Sequence, residues 1–136
     1  MLSSERPEWD SGVLDIAGIS KDKLSEPVRS TATIGRVRED IRAGFGLSRT
    51  CQVVLGGHDQ ACGAVGSGVI TPGMVMDACG TVDAMVSVLP GFIIDRAMLD
   101  NKLPCYRHVD GTNYITMAIN TNGGLFLKWY KNTFCH

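Results

Sequence analysis

Asp59 is the residue of this chain best placed to do chemistry. It sits in Val53-Val54-Leu55-Gly56-Gly57-His58-Asp59-Gln60. The apolar, β-branched run reads as a buried strand, and two glycines after it permit a tight turn. In α/β sheets, ligands bind where the C-terminal end of a strand hands over to a helix. A carboxylate there can serve as a general base, or it can simply cap the next helix. Local chemistry leaves both open. Downstream, Gly80-Thr81 could bind a phosphate through backbone N–H groups and the Thr hydroxyl. Its plain alternative is a two-residue II′ hairpin turn. His58 and Cys62 are four apart on the same helical pattern, but no C-x-x-C or H-x-x-x-H spacing supports them, so no metal site is expected. Gly63-x-x-Gly66-x-Gly68 does not match the dinucleotide fingerprint G-x-G-x-x-G.

These residues need elements to hold them. Trp9, Val13, Leu14 and Ile16 recur at helical spacing, with Gly18 as the cap. Ser20 is a plausible N-cap for a short turn, and Glu26-Pro27 ends that turn. Thr31–Ile34 is a short extended run. Val37, Ile41 and Phe45 make one helical stripe ending near Gly44 and Gly46. The arginines of this segment, Arg29, Arg36, Arg38, Arg42 and Arg49, read as a solvated helix face tempered by Glu39 and Asp40.

After the strand Cys51–Leu55, a helix of small residues spans Asp59–Ser67. Gly63 and Gly66 would each cost it about 1 kcal/mol relative to Ala, which suggests close packing against a neighbour or a ligand. Thr71-Pro72-Gly73 suits a type II turn. Met74–Cys79 and Val82–Leu89 read as paired strands, and Ala97–Leu103 as a loop. Cys105–Val109 and Tyr114–Ile119 flank the turn Asp110-Gly111-Thr112-Asn113. Asn120-Thr121-Asn122 offers N-caps for an amphipathic helix carrying Leu125, Phe126, Trp129 and Tyr130, the last two expected in a core. The style of the chain changes near Thr71-Pro72-Gly73, and a domain boundary is expected there, dividing 1–72 from 73–136.

Composition narrows the classes. A chain of 136 residues is one modest domain or a piece of something larger. Thirteen basic and 14 acidic residues leave a net charge of −1, which gives no reason to expect nucleic acid or an anionic membrane surface. No apolar run is long enough to span a bilayer. The N-terminus shows no apolar signal segment. The five scattered cysteines then read as reduced thiols in a cytoplasmic protein.

The combination resembles the middle of the FGGY family of carbohydrate kinases. Its members carry an Asp at the position of Asp59, in a Gly-x-Asp segment, then a Gly-x-Gly, a Pro-Gly and a Gly-Thr-Ser. Here those read Gly57-His58-Asp59, Gly66-Ser67-Gly68, Pro72-Gly73 and Gly80-Thr81-Val82. Upstream, Leu24, Ile34-Gly35 and Gly46-Leu47 also match. Downstream, Gly123-Gly124-Leu125 with Trp129 resembles the family's helix that begins with a glycine near the nucleotide. The resemblance covers roughly Trp9 to Phe134.

The resemblance implies an α/β fragment of an actin-like ATPase (ribonuclease H-like), two-domain sugar kinase fold. Residues 1–72 would be the C-terminal part of the sugar-binding domain and 73–136 the start of the nucleotide-binding domain. ATP with Mg²⁺ would phosphorylate a hydroxyl of a sugar or polyol of ketose or pentulose type. The resemblance makes Asp59 the base, His58 and Gln60 substrate contacts, and Gly80, Thr81 and Gly124 nucleotide contacts. Several departures accompany it. Family members are several times longer, the Asp-x-Gly-Thr phosphate loop and the adenosine-binding glycine segment are absent, and Val82 replaces the usual Ser. The rival readings are a non-catalytic binding or assembly module derived from such a kinase, and a small metal-binding protein. Apolar surface uncovered in a fragment would also favour a homo-oligomer.

Overall fold

The computed structural model describes residues 2–3 and 5–135. The chain divides into two compact units, Met1–Gly57 and His58–His136.

In the first unit, helix α1 (Ser11–Ala17) starts where the Asp10 carboxylate accepts the Val13 amide at 3.0 Å and stops at Gly18, whose φ of 66° is left-handed. Leu14 is its buried residue. Ser20 precedes a 3-10 turn, Lys21–Lys23, but its hydroxyl bonds the Asp22 carboxylate rather than a backbone amide. Strand β1 (Thr33–Arg36), helix α2 (Glu39–Phe45) and strand β2 (Gln52–Val54) come next, with Gly46 capping α2 at φ 65°. Arg38 pairs with Asp40 and Arg42 with Glu39, so two of the segment's five arginines are ion-paired, Arg38 in solvent and Arg42 largely covered.

β1 and β2 pair antiparallel as an isolated two-stranded sheet. The expectation of a buried strand at Val53–Leu55 is therefore corrected. Val53, Val54 and Leu55 are exposed, because burying a sheet face needs a second packed layer and this unit does not lay one over β2.

In the second unit, helix α3 (Asp59–Gly66) precedes strands β3 (Val75–Cys79) and β4 (Asp83–Leu89), helix α4 (Arg96–Asp100), strands β5 (Tyr106–Arg107) and β6 (Tyr114–Asn120), and helix α5 (Gly123–Phe134). The sheet order is β3-β4-β6-β5, every pair antiparallel. Alternation along β4 buries Ala84, Val86 and Val88 on one face. Against that face pack Ala61 and Ala64 of α3, with Val69, Ile115 and Met117 completing the core. The compact units thus divide ahead of α3, whereas the change of sequence style falls after it: the alanines tie α3 to the sheet that comes after it.

Turn chemistry holds in most places. Gly73 has φ 87° and the Met74 amide donates to the Thr71 carbonyl at 3.1 Å, as a type II turn requires. Asp110 closes the β5–β6 turn, its Oδ1 accepting the amides of Thr112 and Asn113, each at 2.9 Å. The Asn113 side chain donates to Asp110 and to the Ile70 carbonyl, and the buried His108 donates through Nε2 to the Val69 carbonyl at 3.2 Å. This turn therefore pins the segment leaving α3.

Three other expectations change. The stretch 97–103, expected as a loop, instead shares its first four residues with α4, because Asp95 caps the Met98 amide at 2.7 Å and Arg96 pairs with Asp100. Trp129 and Tyr130 lie half exposed on α5 with Leu125, Phe126, Leu127 and Phe134. Their rings meet one another, Phe126 stacking on Trp129 at 5.5 Å, rather than entering the core. Gly63 and Gly66 mark no tight approach either. A Cβ at Gly63 would meet Met76 Sδ at an ordinary 3.6 Å, and at Gly66 it would meet nothing within 4 Å.

Asp110 gives a pH-dependent expectation. Burial works against its charged form, but the Asn113 and Thr112 amides, the Asn113 side chain and nearby His108 outweigh it and hold the carboxyl below its ordinary range. The stabilisation is complete above the ordinary carboxylate range and is lost as pH falls through the lowered folded-state value. Asp110→Ala should cost about 1 kcal/mol at neutral pH and less in strong acid, where only the bonds of the neutral carboxyl remain. Urea melts across that range check this; an equal cost at every pH contradicts it.

Candidate functional site

The residues singled out by sequence fall into two groups within the second unit. The first is at the start of α3. His58 is the N-cap and Asp59 the first helical residue. The Gln60 amide lies 2.8 Å from Asp59 Oδ1 and 3.3 Å from His58 Nδ1. The shorter, charge-assisted bond to the carboxylate is the stronger, so one oxygen of Asp59 is oriented by the backbone. The Asp59 side chain is 85% exposed and that of His58 66%, with His58 Nδ1 3.2 Å from Asp59 Oδ1. A protonated His58 can donate to Asp59. Gln60 is partly buried.

Asp59 thus contributes to the helix start, yet His58 occupies the cap position, and most of the Asp59 carboxylate faces outward. The arrangement is an accessible, oriented proton acceptor.

The second group is the β3–β4 connection. The sequence suggested a two-residue II′ turn at Gly80-Thr81. The structure corrects this: Cys79 pairs with Asp83, so the loop is Gly80, Thr81 and Val82. A II′ turn needs positive φ at its first central residue, and Gly80 is not among the glycines with positive φ. The Gly80 amide donates to the Val82 carbonyl at 2.8 Å. Gly80 and Thr81 are exposed. With the Gly80 amide engaged, the Thr81 N–H and hydroxyl are among the turn's remaining groups for an anion.

Gly124 joins this turn. Its amide donates to the Gly80 carbonyl at 2.8 Å. An amide already engaged there is no donor for a nucleotide, so Gly124 could contact one only by allowing a close approach. Gly123, to which the sequence alone assigns no role, is buried. A Cβ on it would lie 2.8 Å from the Asp83 nitrogen and 2.8 Å from the Val82 carbonyl carbon. The start of α5 is therefore docked directly on the turn backbone. Adjacent glycines at the start of a helical pattern were the available signal, since a glycine there costs helix stability unless contact demands it.

α3 packs along the sheet through Ala61 and Ala64, and Gly63 faces Met76 of β3. Both groups thereby belong to one unit, and no hydrogen bond joins them among the described residues. No cluster of three or more His, Cys, Asp or Glu that could hold a metal occurs among the described residues. No described helix is long and apolar enough to cross a membrane. A cavity of about 400 Å³ lies in the first unit, lined in part by Pro7, Trp9, Lys21 and Leu24, and includes none of these residues.

A family model described as the FGGY family of carbohydrate kinases, N-terminal domain, matches residues 1–66. A xylulose kinase of Bacillus subtilis is 29% identical over 134 residues, which are 98% of this chain and 26% of that protein. An autoinducer-2 kinase of Yersinia enterocolitica is 33% identical over 136 residues, 99% of this chain and 25% of that one. Among solved structures, a ligand-bound xylulose kinase of Lactobacillus acidophilus superimposes with a TM-score of 0.83 at 24% identity. It covers 97% of this chain and 26% of its own. The likeness establishes the fold as an α/β fragment of the actin-like ATPase architecture of sugar kinases. The chain spans about a quarter of the length of the relatives it matches.

The docking of α5 gives a direct test. Gly123→Ala places a methyl against backbone that cannot yield cheaply, and should cost about 1–3 kcal/mol. Denaturant melts of the variant measure the cost; unchanged stability would mean that α5 is not seated on the turn.

Proposed function

We propose that this chain, which belongs to the FGGY family of carbohydrate kinases, supplies the catalytic base and one phosphate-facing turn of an ATP-dependent sugar kinase. Residues 1–72 would close the sugar-binding domain and 73–136 open the nucleotide-binding domain. The observation that carries the reading is Asp59: a carboxylate 85% exposed at a helix start, with one oxygen held by the Gln60 amide, at the family's Gly-x-Asp position.

The acceptor is a hydroxyl of a sugar or polyol of ketose or pentulose type. ATP, carried with Mg²⁺, supplies the phosphoryl group. No cluster among the described residues fits the ion as a protein-held site, and the ion would arrive on the nucleotide's phosphates. Phosphoryl transfer relies mainly on positioning and charge stabilisation. Asp59 accepts the hydroxyl proton and aims that oxygen along the transfer line. His58 and Gln60 flank it and bind the substrate. Thr81 offers its hydroxyl and N–H to the terminal phosphates, and the glycines at 80, 123 and 124 keep Cβ atoms out of the way.

Removing a general base costs about 10²–10⁴-fold in rate, or roughly 3–5 kcal/mol of barrier. Asn caps a helix as well as Asp does. In the full-length protein that carries this segment, Asp59→Asn should therefore leave stability and nucleotide binding near normal while turnover falls by that factor. Turnover within a few-fold of wild type would return Asp59 to a structural role.

The 136-residue chain by itself should phosphorylate no sugar at a useful rate, because the family's Asp-x-Gly-Thr phosphate loop is not in it. A coupled assay of ADP release over a panel of ketoses and polyols checks this; sustained release dependent on one sugar contradicts it.

A further inference from the structure

Helix α5 is the element of the second unit that the fold leaves most uncovered. Of its 12 residues only Gly123 is buried. Leu125, Phe126, Leu127, Trp129, Tyr130 and Phe134 are each 51–65% exposed, and none of them belongs to the core cluster. A helix of this length is marginal in water by itself and draws its stability from packing an apolar face. The first turn of α5 has such a seat, on the backbone of Val82 and Asp83. The later turns have none in the core.

The uncovered side chains form one stripe. Phe126, Trp129, Tyr130 and Phe134 recur at i, i+3, i+4 and i+8, the spacing of one helix face. Their rings touch: centres are 5.5 Å apart for Phe126 and Trp129, 5.7 Å for Trp129 and Phe134, and 5.2 Å for Tyr130 and Phe134. Leu125 and Leu127 flank the stripe on its two sides, and Thr133 is the one polar residue within it. Lys128 and Lys131 fall on the opposite side of the helix, which carries no acidic residue.

We propose that this stripe binds the same stripe of a second copy of the chain, giving a two-fold dimer joined through α5. Charge favours a copy over other partners. The stripe itself is uncharged and both lysines lie behind it, so two identical helices meet with no like charges in the seam. An acidic or basic partner finds no countercharge there. Two lysines also fall short of the clusters of about 4–8 that hold a protein to anionic lipid. Area agrees. Four aromatic side chains of about 150–250 Å² each, half or more exposed, leave roughly 300–550 Å² uncovered per chain, and the two leucines extend it. Two copies together approach the roughly 1,200 Å² at which specific interfaces begin. In a two-fold interface the same patch serves on both copies. Trp129 is near the middle of α5 (Gly123–Phe134), so the axis sets the two Trp129 side chains close together whichever way the helices run. The proposal is independent of the kinase reading, which uses the start of α3, the β3–β4 turn and the first turn of α5.

The test is sedimentation equilibrium of the 136-residue chain over a wide range of concentration. Wild type should follow a monomer–dimer equilibrium. Trp129→Glu and Trp129→Lys should each weaken dimerisation at least about tenfold, as loss of a central aromatic anchor does. Lys128→Glu, behind the seam, should dimerise as wild type does. An equimolar mixture of the two Trp129 variants should recover dimer that neither forms alone, because opposite charges then face each other across the axis; a merely structural role for Trp129 gives no such recovery. A mixture that stays monomeric sets the two Trp129 side chains apart and overturns the two-fold seam. A wild type that sediments as a folded monomer throughout overturns the proposal and leaves the face to a different partner, such as a further segment of a longer polypeptide. A dimer that neither Trp129 variant weakens overturns it too, as does a monomer that sediments with phosphatidylserine vesicles.

Discussion

The second unit depends on how closely α3 lies against its sheet. Ala61 and Ala64 are buried in the same cluster as Val86, Val88 and Ile115. Larger side chains at those two positions would lift the helix and strand the valines at a half-filled face, since interiors tolerate neither voids nor overpacking. The buried His108 and the Asn113 side chain then hold the segment leaving the helix, through the carbonyls of Val69 and Ile70. With its far end tied down in this way and its alanines on the sheet, α3 holds the segment that begins with His58, Asp59 and Gln60 in one place.

The other half of the site obeys a different constraint, one of backbone meeting backbone. α5 begins against the β3–β4 turn at distances only glycine allows, and the Gly124 amide takes the Gly80 carbonyl. A turn held this way keeps its outward groups, Thr81 foremost, in one arrangement. The cost is a helix started by two glycines with no side-chain cap, about 1 kcal/mol each relative to Ala. The beginning of α5 is thus tightly engaged, while its later turns carry aromatic side chains that meet mainly one another.

Local chemistry was legible wherever one residue decides the backbone. Gly18, Gly46, Gly73 and Gly111 have positive φ at the helix ends and turns where the sequence placed them, because few other residues adopt that conformation without strain. The order of elements was legible too, since hydrophobic period separates strand from helix. The short helix α4 was missed: its apolar pattern is weak, and a cap at Asp95 with an Arg96–Asp100 pair sustains it instead. Gly63 and Gly66 drew attention as close-packing glycines, while Gly123 was the one under contact. A glycine's sequence neighbours do not reveal what lies across from it in space.

The sequence by itself determined a set of short patterns: a Gly-x-Asp after an apolar strand, a Gly-Thr at a hairpin, a Gly-Gly at a helix start, and through them the likeness to a family. Those are short-range patterns, written in residues adjacent along the chain. Only the tertiary structure decided which of them meet. It joined Gly80 to Gly124, seated Gly123 on Asp83, and left β2 and the aromatic residues of α5 exposed. Strand register and helix docking depend on contacts between segments distant in sequence. Burial depends on whether a second layer lies over a face, and a face looks the same in the sequence whether covered or bare.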